Sequence, residues 1–262
     1  MDLEIIKRVG IAAAYQAGDI LRSYHGRTFE TNKKGIADLV TEADIRSEKL
    51  IIGMIQAAFP DHGILAEESG LRKGSANCQW IIDPLDGTTN FAHHLSLCSV
   101  SIAFASDGNT RVGIVLNPLS GELFTATEGE GADLNGRQIS VSDTKTVAES
   151  LLVTGFPYNF RENPVPLLNR FSNCLKAAQG VRRLGSAALD LCFVACGRFD
   201  AFWEQNLKPW DTAAGVLIAR EAGSRVSDFS DRPFTVDKKE MLASNGNIHN
   251  EMLSLLKLKG TE

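Results

Sequence analysis

The chain has 262 residues, 44% of them hydrophobic, with 27 Lys and Arg against 32 Asp and Glu and a formal net charge of −5 at pH 7. This length and apolar content can fill a sizeable core, so we expect one globular domain over residues 1–262. The acidic balance, without any long basic block, argues against direct binding of nucleic acid. No apolar run is long enough to span a bilayer, and the first residues are acidic where a secretory signal is basic. We therefore expect a cytoplasmic protein with no membrane partner.

The five cysteines support the same compartment, because their number is odd and no C-x-x-C pair occurs. Cys192 and Cys196 stand four residues apart in an apolar helical pattern. This placement favours buried small hydrophobic residues over metal ligands or a redox pair.

The first sixty residues contain two amphipathic helices. Apolar residues recur at helical spacing over residues 3–24, which predicts a helix that ends at Gly26. A second helix is predicted over residues 41–59, since Pro60 cannot continue it. The stretch between them, residues 28–38, is polar and rich in Lys and Gly, and it is the best candidate for a mobile flap.

After Pro60 the pattern changes to short strands. Two brief apolar runs, residues 64–66 and 80–82, each end in carboxylates. Over residues 97–139, stretches with a period of two alternate with turn dipeptides, which predicts an antiparallel meander. The remaining predicted elements are strands at 150–154, 201–203 and 241–243, and helices at 166–178, 187–196 (with Ser186 as N-cap), 212–222 and 248–257. This order predicts a mixed α/β fold with sheets flanked by helices.

The segment from Trp80 to Phe91, with the sequence WIIDPLDGTTNF, carries the clearest chemical signal. We expect an apolar strand to deliver Asp83 to its end, where Pro84 stops the strand and forces a turn. Asp86 then lies close to Asp83, and Gly87 lets the backbone approach a ligand before a helix begins near Thr88. Such a turn suits a hard cation beside an anion. Asp-Pro and Asp-Gly are also ordinary turn formers, but the buried strand and the threonine pair favour a functional site.

Three further carboxylates have simpler interpretations beside the functional one. Glu67 follows a predicted strand and either begins a solvated loop or shares a site with Asp83. Asp211 is most simply the N-cap of the helix after it, although a metal ligand uses the same position. Asp44 with Thr41 fits a capping box at the start of the second helix.

Together these motifs resemble the inositol monophosphatase family of metal-dependent, lithium-sensitive phosphatases. The resemblance rests on five segments in family order, namely DLVTEAD (38–44), EES (67–69), DPLDGTTNF (83–91), GSAALDL (185–191) and WDTAAG (210–215). It covers nearly the whole chain. It implies a layered α/β/α/β/α sandwich, a homodimer and two to three Mg²⁺ ions.

The resemblance also implies roles for single residues. One Mg²⁺ would be held by Glu67, Asp83 and the carbonyl of Leu85, a second by Asp83, Asp86 and Asp211, and a third, weaker one near Glu67. The amides of Gly87 and Thr88 would bind phosphate. Asp44 would accept a hydrogen bond from the Thr88 hydroxyl, which with Glu67 would position the attacking water. Lys33 would lie on the flap, and Glu204, Ser186 and Ala187 would line the substrate pocket.

The implied function is Mg²⁺-dependent hydrolysis of a small polyol or sugar phosphate monoester, with myo-inositol 1-phosphate as the first candidate. Glu204 favours a neutral polyol, because a carboxylate accepts hydroxyl hydrogen bonds and repels a second phosphate. Relatives of the same fold leave fructose 1,6-bisphosphate, histidinol phosphate and adenosine 3′,5′-bisphosphate open. Some bacterial relatives with a segment like residues 181–190 act with the transcription machinery, so a protein partner of that kind is the alternative from another class.

Overall fold

The structure is a computed structural model that describes residues 2–27, 31–33, 39–75, 77–157 and 159–258. The described residues form seven α-helices. Their bounds are α1 Leu3–Tyr24, α2 Glu42–Ala58, α3 Thr88–Ala92, α4 Pro164–Ala177, α5 Ala187–Ala195, α6 Pro209–Glu221 and α7 His249–Leu256.

Fifteen strands are described, in three sheets. The strands are β1 Thr31–Lys33, β2 Leu39–Thr41, β3 Gly63–Ala66, β4 Gly70–Arg72, β5 Cys78–Asp86, β6 Ser99–Ser106, β7 Asn109–Asn117, β8 Glu122–Thr127, β9 Gly131–Leu134, β10 Arg137–Gln138, β11 Leu151–Thr154, β12 Gly180–Arg182, β13 Ala201–Gln205, β14 Arg225–Ser227 and β15 Glu240–Ser244. An eight-stranded sheet has the order β10-β9-β8-β7-β6-β5-β3-β4, a five-stranded sheet the order β12-β11-β13-β15-β14, and β1 pairs with β2.

Alternating side chains assign the helices to layers. Within β5, Trp80 and Ile82 pack with α1 and α2 on one face of the large sheet, whereas Ile81 packs with α5 and α6 on the other. In β13, Phe202 joins α5 and α6, and Trp203 faces α7 in a separate core. The layers are therefore helix, sheet, helix, sheet, helix, which confirms the α/β/α/β/α architecture that the resemblance implied.

Most predicted elements are confirmed, with end shifts of a few residues. Helix α1 has its predicted bounds, and the Asp2 side chain caps it by accepting from the amides of Glu4 (3.0 Å) and Ile5 (3.3 Å). Helix α2 begins at Glu42 because Thr41 is its N-cap. The meander over 97–139 is confirmed as β6 to β10.

One expectation about the central strand is wrong. Strand β5 continues past Pro84 to Asp86, and its pairing with β6 shifts between Asp83 and Asp86. The extra residue forms a bulge, which accommodates a proline that has no N–H to give to the ladder.

Residues 28–38, the predicted flap, are only partly described. Strand β1 pairs antiparallel with β2, whereas residues 28–30 and 34–38 lie outside the described residues. The flap stays a prediction. No helix among the described residues is long and apolar enough to cross a membrane.

Candidate active site

One cavity brings together most of the residues singled out in the sequence. Its lining includes Glu67, Asp83, Leu85, Asp86, Gly87, Thr88, Ser186, Ala187, Glu204 and Asp211. It also includes residues to which the sequence analysis gave no role, among them Gly155, Phe156, Arg183, Asp190 and Trp210. The segments that meet here come from the large sheet, the small sheet and the helices between them.

The bulge in β5 shapes one wall of the cavity. Asp83 is buried, and its Oδ1 accepts from the amide of Leu85 at 3.0 Å, which fixes the turn around Pro84. Gly87 follows with φ +91°, a left-handed conformation, and a Cβ there would lie 2.8 Å from the carbonyl oxygen of Leu97. Only glycine combines this φ with so close an approach, so the motif needs Gly87 for its backbone path.

Asp86 is fixed by the start of α5. Its Oδ2 accepts from the Ser186 hydroxyl at 2.6 Å and from the amide of Ala188 at 2.8 Å. Ser186 is the N-cap of α5, as the sequence predicted, and its hydroxyl accepts from the amide of Leu189 at 3.4 Å. Ser186 therefore serves both the helix and the carboxylate.

Asp44 and Thr88 are neighbours across the cavity wall. The Thr88 hydroxyl lies 3.2 Å from Asp44 Oδ1 and 3.0 Å from the Leu85 carbonyl, so its single proton can be donated to either. The other Asp44 oxygen accepts from the amide of Thr41 at 2.9 Å and from the Thr41 hydroxyl. The predicted capping box is therefore present. Burial raises the pKa of Asp44 to about 6, which leaves it mainly ionised at neutral pH and able to accept the Thr88 proton.

The position of Asp211 differs from the prediction. Helix α6 begins at Pro209, three residues earlier than an N-cap at Asp211 allows, and Lys208 is the N-cap. Proline is favoured in a first helical turn because its missing N–H is not needed there. Asp211 is the third helical residue, and its Oδ2 accepts from the amide of Lys208 at 2.7 Å. Its carboxylate still lines the cavity.

The acidic residues raise one another's pKa values. Burial, followed by the charges of Glu67, Asp86 and Asp211, raises the pKa of Asp83 well above its ordinary value. Burial and Asp86 raise the pKa of Asp211 to about 8. Burial raises the pKa of Asp86 too, although its bonds to Ser186 and the start of α5 oppose this. The ionised form of clustered, desolvated carboxylates is strongly favoured only when a cation lies between them.

The donor set fits a hard divalent cation, because carboxylate and carbonyl oxygens are the ligands that Mg²⁺ prefers. Among the described residues, no three acidic, histidine or cysteine side chains are already arranged to hold a metal ion.

A second acidic pair, Glu204 and Asp190, also lines the cavity. Glu204 is the penultimate residue of β13 and is buried, and burial together with Asp211 raises its pKa to about 8. Gly155 makes room for it, since a Cβ there would lie 1.9 Å from Glu204 Oε2. Asp190 is buried on α5, and neither of its carboxylate oxygens has a hydrogen-bond partner among the described residues. Burial and Glu204 raise its pKa well above the ordinary value. An acidic residue within the otherwise apolar run of α5 was the available signal for Asp190.

Lys33, the predicted flap residue, lies in β1, and its side chain is outside the described part of the structure. Its role stays a prediction. The other predicted site residues apart from Asp44 line the cavity, and Asp44 reaches it through Thr88.

Comparison with known proteins places the chain among relatives that match it over nearly its whole length. The model of the inositol monophosphatase family matches residues 2–259. The chain is 45% identical over 257 residues to a Synechocystis protein named inositol-1-monophosphatase, covering 97% of this chain and 90% of that protein. It is 40% identical to a Pseudomonas aeruginosa protein named Nus factor SuhB, covering 95% and 94%. The crystal structure of the extragenic suppressor protein suhB from Bartonella henselae superposes with a TM-score of 0.94 at 39% identity, covering 98% and 99%.

Proposed function

Since the chain belongs to the inositol monophosphatase family and is a phosphatase of phosphate monoesters, we propose that its substrate is a small polyol or sugar monophosphate and its cofactor Mg²⁺. The first candidate substrate is myo-inositol 1-phosphate, which the name of the Synechocystis relative supports. The observation that carries the proposal is the cavity itself, which Glu67, Asp83, Asp86 and Asp211 line together with the Gly87-Thr88 turn.

The family is generally metal-dependent, and the acidic end of the cavity is the place for the metal. Glu67, Asp83 and the Leu85 carbonyl would hold one Mg²⁺, and Asp83, Asp86 and Asp211 a second, with a weaker third near Glu67. Bound Mg²⁺ supplies a water of lowered pKa as nucleophile and neutralises charge on the phosphoryl and leaving oxygens. This chemistry suits phosphate-monoester hydrolysis, whose enzymatic acceleration reaches ~10²¹-fold.

The protein groups around the metal positions would orient water and phosphate. When Thr88 donates its proton to Asp44, its lone pairs are free to accept a hydrogen bond from the attacking water, which Glu67 would hold from the other side. The amides of Gly87 and Thr88 would bind the phosphate. Lys33 on the flap would add a positive charge beside the metals.

The other end of the cavity would bind the alcohol. Glu204, Ser186 and Ala187 line it, and a carboxyl group can exchange hydrogen bonds with several hydroxyls of a polyol. The raised pKa of Glu204 keeps part of the population protonated near neutral pH, so this group can both donate and accept there.

A phosphate-release screen with Mg²⁺ over sugar, polyol and nucleotide phosphates tests the proposal. Wild-type protein should act best on a polyol monophosphate, and Asp86→Asn should lose nearly all activity while remaining folded. Asp143→Asn, at an exposed surface position, is the matched control and should behave as wild type. Full activity of Asp86→Asn in saturating Mg²⁺ would refute the assignment of the metal residues.

Three further properties belong to the same proposal. Li⁺ should inhibit by occupying one Mg²⁺ position without matching its charge, which a Li⁺ titration at limiting Mg²⁺ tests. The chain should form a homodimer, which sedimentation measures. It should act in the cytoplasm, which cell fractionation checks.

A second candidate function is an association with the transcription machinery. It is favoured by the relatives named Nus factor, which are about as similar to this chain as the inositol phosphatases are. The acidic net charge points to a protein partner and not to RNA. A pull-down with RNA polymerase components tests it, and absence of any retained component would reject it.

A further inference from the structure

The inner face of α2 carries three polar residues that each reach a different part of the active site. Asp44, Ser47 and Glu48 occupy positions i, i+3 and i+4, which share one helix face, and all three are buried. Asp44 contacts Thr88, as described above. Ser47 and Glu48 have no part in the mechanism so far, yet both are hydrogen-bonded to segments that carry the candidate metal ligands.

Glu48 holds the backbone immediately after Glu67. Its Oε2 accepts from the amide of Glu68 at 2.8 Å, and its Oε1 accepts from the amide of Ser69 at 2.9 Å. The amide of Glu67 is held from the other side by the Ile82 carbonyl at 3.2 Å. The backbone that carries Glu67 is therefore fixed between β5 and α2, and the bonds to Glu48 are of the strong, charge-assisted kind.

Ser47 holds the bulge that carries the two aspartates. Its hydroxyl donates to the carbonyl of Pro84 at 3.2 Å. Pro84 lies between Asp83 and Asp86, at the point where the pairing with β6 shifts. Ser47 thus supplies a donor to a carbonyl group within the irregular part of the strand, where a buried carbonyl needs one.

We propose that Ser47 and Glu48 are positioning residues that set the distance between the segment of Glu67 and the segment of Asp83 and Asp86. Helix α2 is a rigid spacer, and adjacent residues on it bind the two segments. The proposal rests on the function proposed above, since it concerns the affinity of those carboxylates for Mg²⁺. Neither Ser47 nor Glu48 lines the cavity, so each acts through the backbone that it holds.

The chain contains a matched control for Glu48. Glu221, at the end of α6, accepts from the amides of Gly129 and Gly131, each at 2.9 Å with one carboxylate oxygen. The chemistry is the same, but this turn does not line the cavity. Glutamine at either position keeps the size of the side chain and replaces one acceptor by an NH₂ group, which faces a backbone N–H and cannot accept from it.

The experiment compares E48Q, E221Q and wild type after removal of divalent metal. Mg²⁺ affinity is measured by calorimetry and by the rise in unfolding temperature with Mg²⁺, and the Mg²⁺ dependence of turnover is measured separately. E48Q should bind Mg²⁺ more weakly by about 10- to 100-fold, the range for residues that orient metal ligands. Its kcat should recover toward the wild-type value at saturating Mg²⁺, whereas E221Q should keep wild-type Mg²⁺ affinity even where both variants unfold at a lower temperature.

A second variant, S47A, keeps the proposal testable where E48Q fails to fold. It removes one hydrogen bond to Pro84 and should weaken Mg²⁺ binding roughly three- to tenfold, the factor for one neutral hydrogen bond. Wild-type Mg²⁺ affinity in S47A and in folded E48Q, or an equal loss in E221Q, would overturn the inference. If wild type shows no Mg²⁺ binding and no Mg²⁺-dependent turnover, the proposed function fails. If wild type binds Mg²⁺ and the variants bind it with the same affinity, only the inference about Ser47 and Glu48 fails.

Discussion

Replacing Asp211 by asparagine should stabilise the metal-free protein and abolish its stabilisation by Mg²⁺. The asparagine oxygen can still accept from the amide of Lys208, so the start of α6 keeps its hydrogen bond. What the substitution removes is a carboxyl whose pKa is raised to about 8 by burial and by Asp86. The sequence interpretation of Asp211 as an N-cap does not apply, because the N-cap is Lys208.

The magnitude follows from the linkage between pKa and stability. A carboxyl whose pKa rises from 3.8 to about 8 on folding destabilises the folded state by ~4 kcal/mol at pH 7 where no water screens it. Asp211 is only partly buried and keeps some surface exposed to solvent. Solvent screening therefore reduces the gain in folding stability of Asp211→Asn to about 1–2 kcal/mol. For a chain of this size that gain is a rise of roughly 2–4 °C in Tm. The gain should shrink as pH falls from 8 toward 4, where the unfolded chain also becomes protonated.

The assay is unfolding by heat and by urea at pH 5, 7 and 8, with chelator and with a Mg²⁺ series. Wild type should gain stability with Mg²⁺ by mass action, and Asp211→Asn should gain little. Asp228→Asn is the control, because Asp228 accepts from the amides of Ser230 and Arg232 and its pKa is lowered to about 2. That control should lose stability at pH 7 and keep the Mg²⁺ effect. A metal-free Asp211→Asn that is no more stable than wild type at pH 8, with an unchanged Mg²⁺ gain, would refute the reasoning.

Three other predictions concern the alcohol end of the cavity and the core beneath the small sheet. Glu204→Gln should reduce kcat/KM for inositol 1-phosphate relative to an aryl phosphate by roughly two- to tenfold, as expected for a lost hydrogen bond of about 0.5–1.5 kcal/mol to a mainly neutral carboxyl; equal losses on both substrates would make Glu204 structural. Asp190→Asn should raise the metal-free Tm at pH 8, since it removes a buried carboxyl without a described partner, and a lowered Tm would show that the charge is compensated. His249 is buried between the hydroxyls of Ser227 and Ser244, and burial lowers its pKa to about 4. The stability that neutral His249 contributes is therefore present above pH 6.5 and falls toward pH 4, and urea unfolding of His249→Gln should lack that part of the pH dependence.

The sequence predicts the amphipathic helices and long strands of this fold well, because hydrophobic periodicity reports burial directly. The predicted and observed bounds of α1 coincide, and α5 lies within the predicted range with its N-cap correct. The missed strands are short segments such as Gly70–Arg72, Gly180–Arg182 and Arg225–Ser227. A segment of three residues is too short to show a detectable periodicity, and only its pairing with a neighbouring strand in the folded chain makes it a strand.

The site shows the same division between local and tertiary information. Asp83, Pro84 and Gly87 determine the turn after Ile82, so the chemistry of this turn can be predicted from the sequence. The family resemblance strengthens that prediction. Ser47 and Glu48 could not be found that way, because polar residues on a helix ordinarily indicate a solvated face. Here that face is buried against the active-site segments, and only the packing of α2 reveals it.

The starts of several helices explain why so many acidic groups can lie in and beside one cavity. Asp86 accepts from the N-terminal turn of α5, Asp211 lies in the first turn of α6, and Asp44 lies in the first turn of α2. Each helix start presents unpaired amides and a partial positive charge, which lowers the cost of a nearby carboxylate. These dipoles offset only part of that cost, as the raised pKa values of all three residues indicate. A divalent cation would supply the remaining compensation, and the same positive potential would then favour the phosphate that arrives beside it.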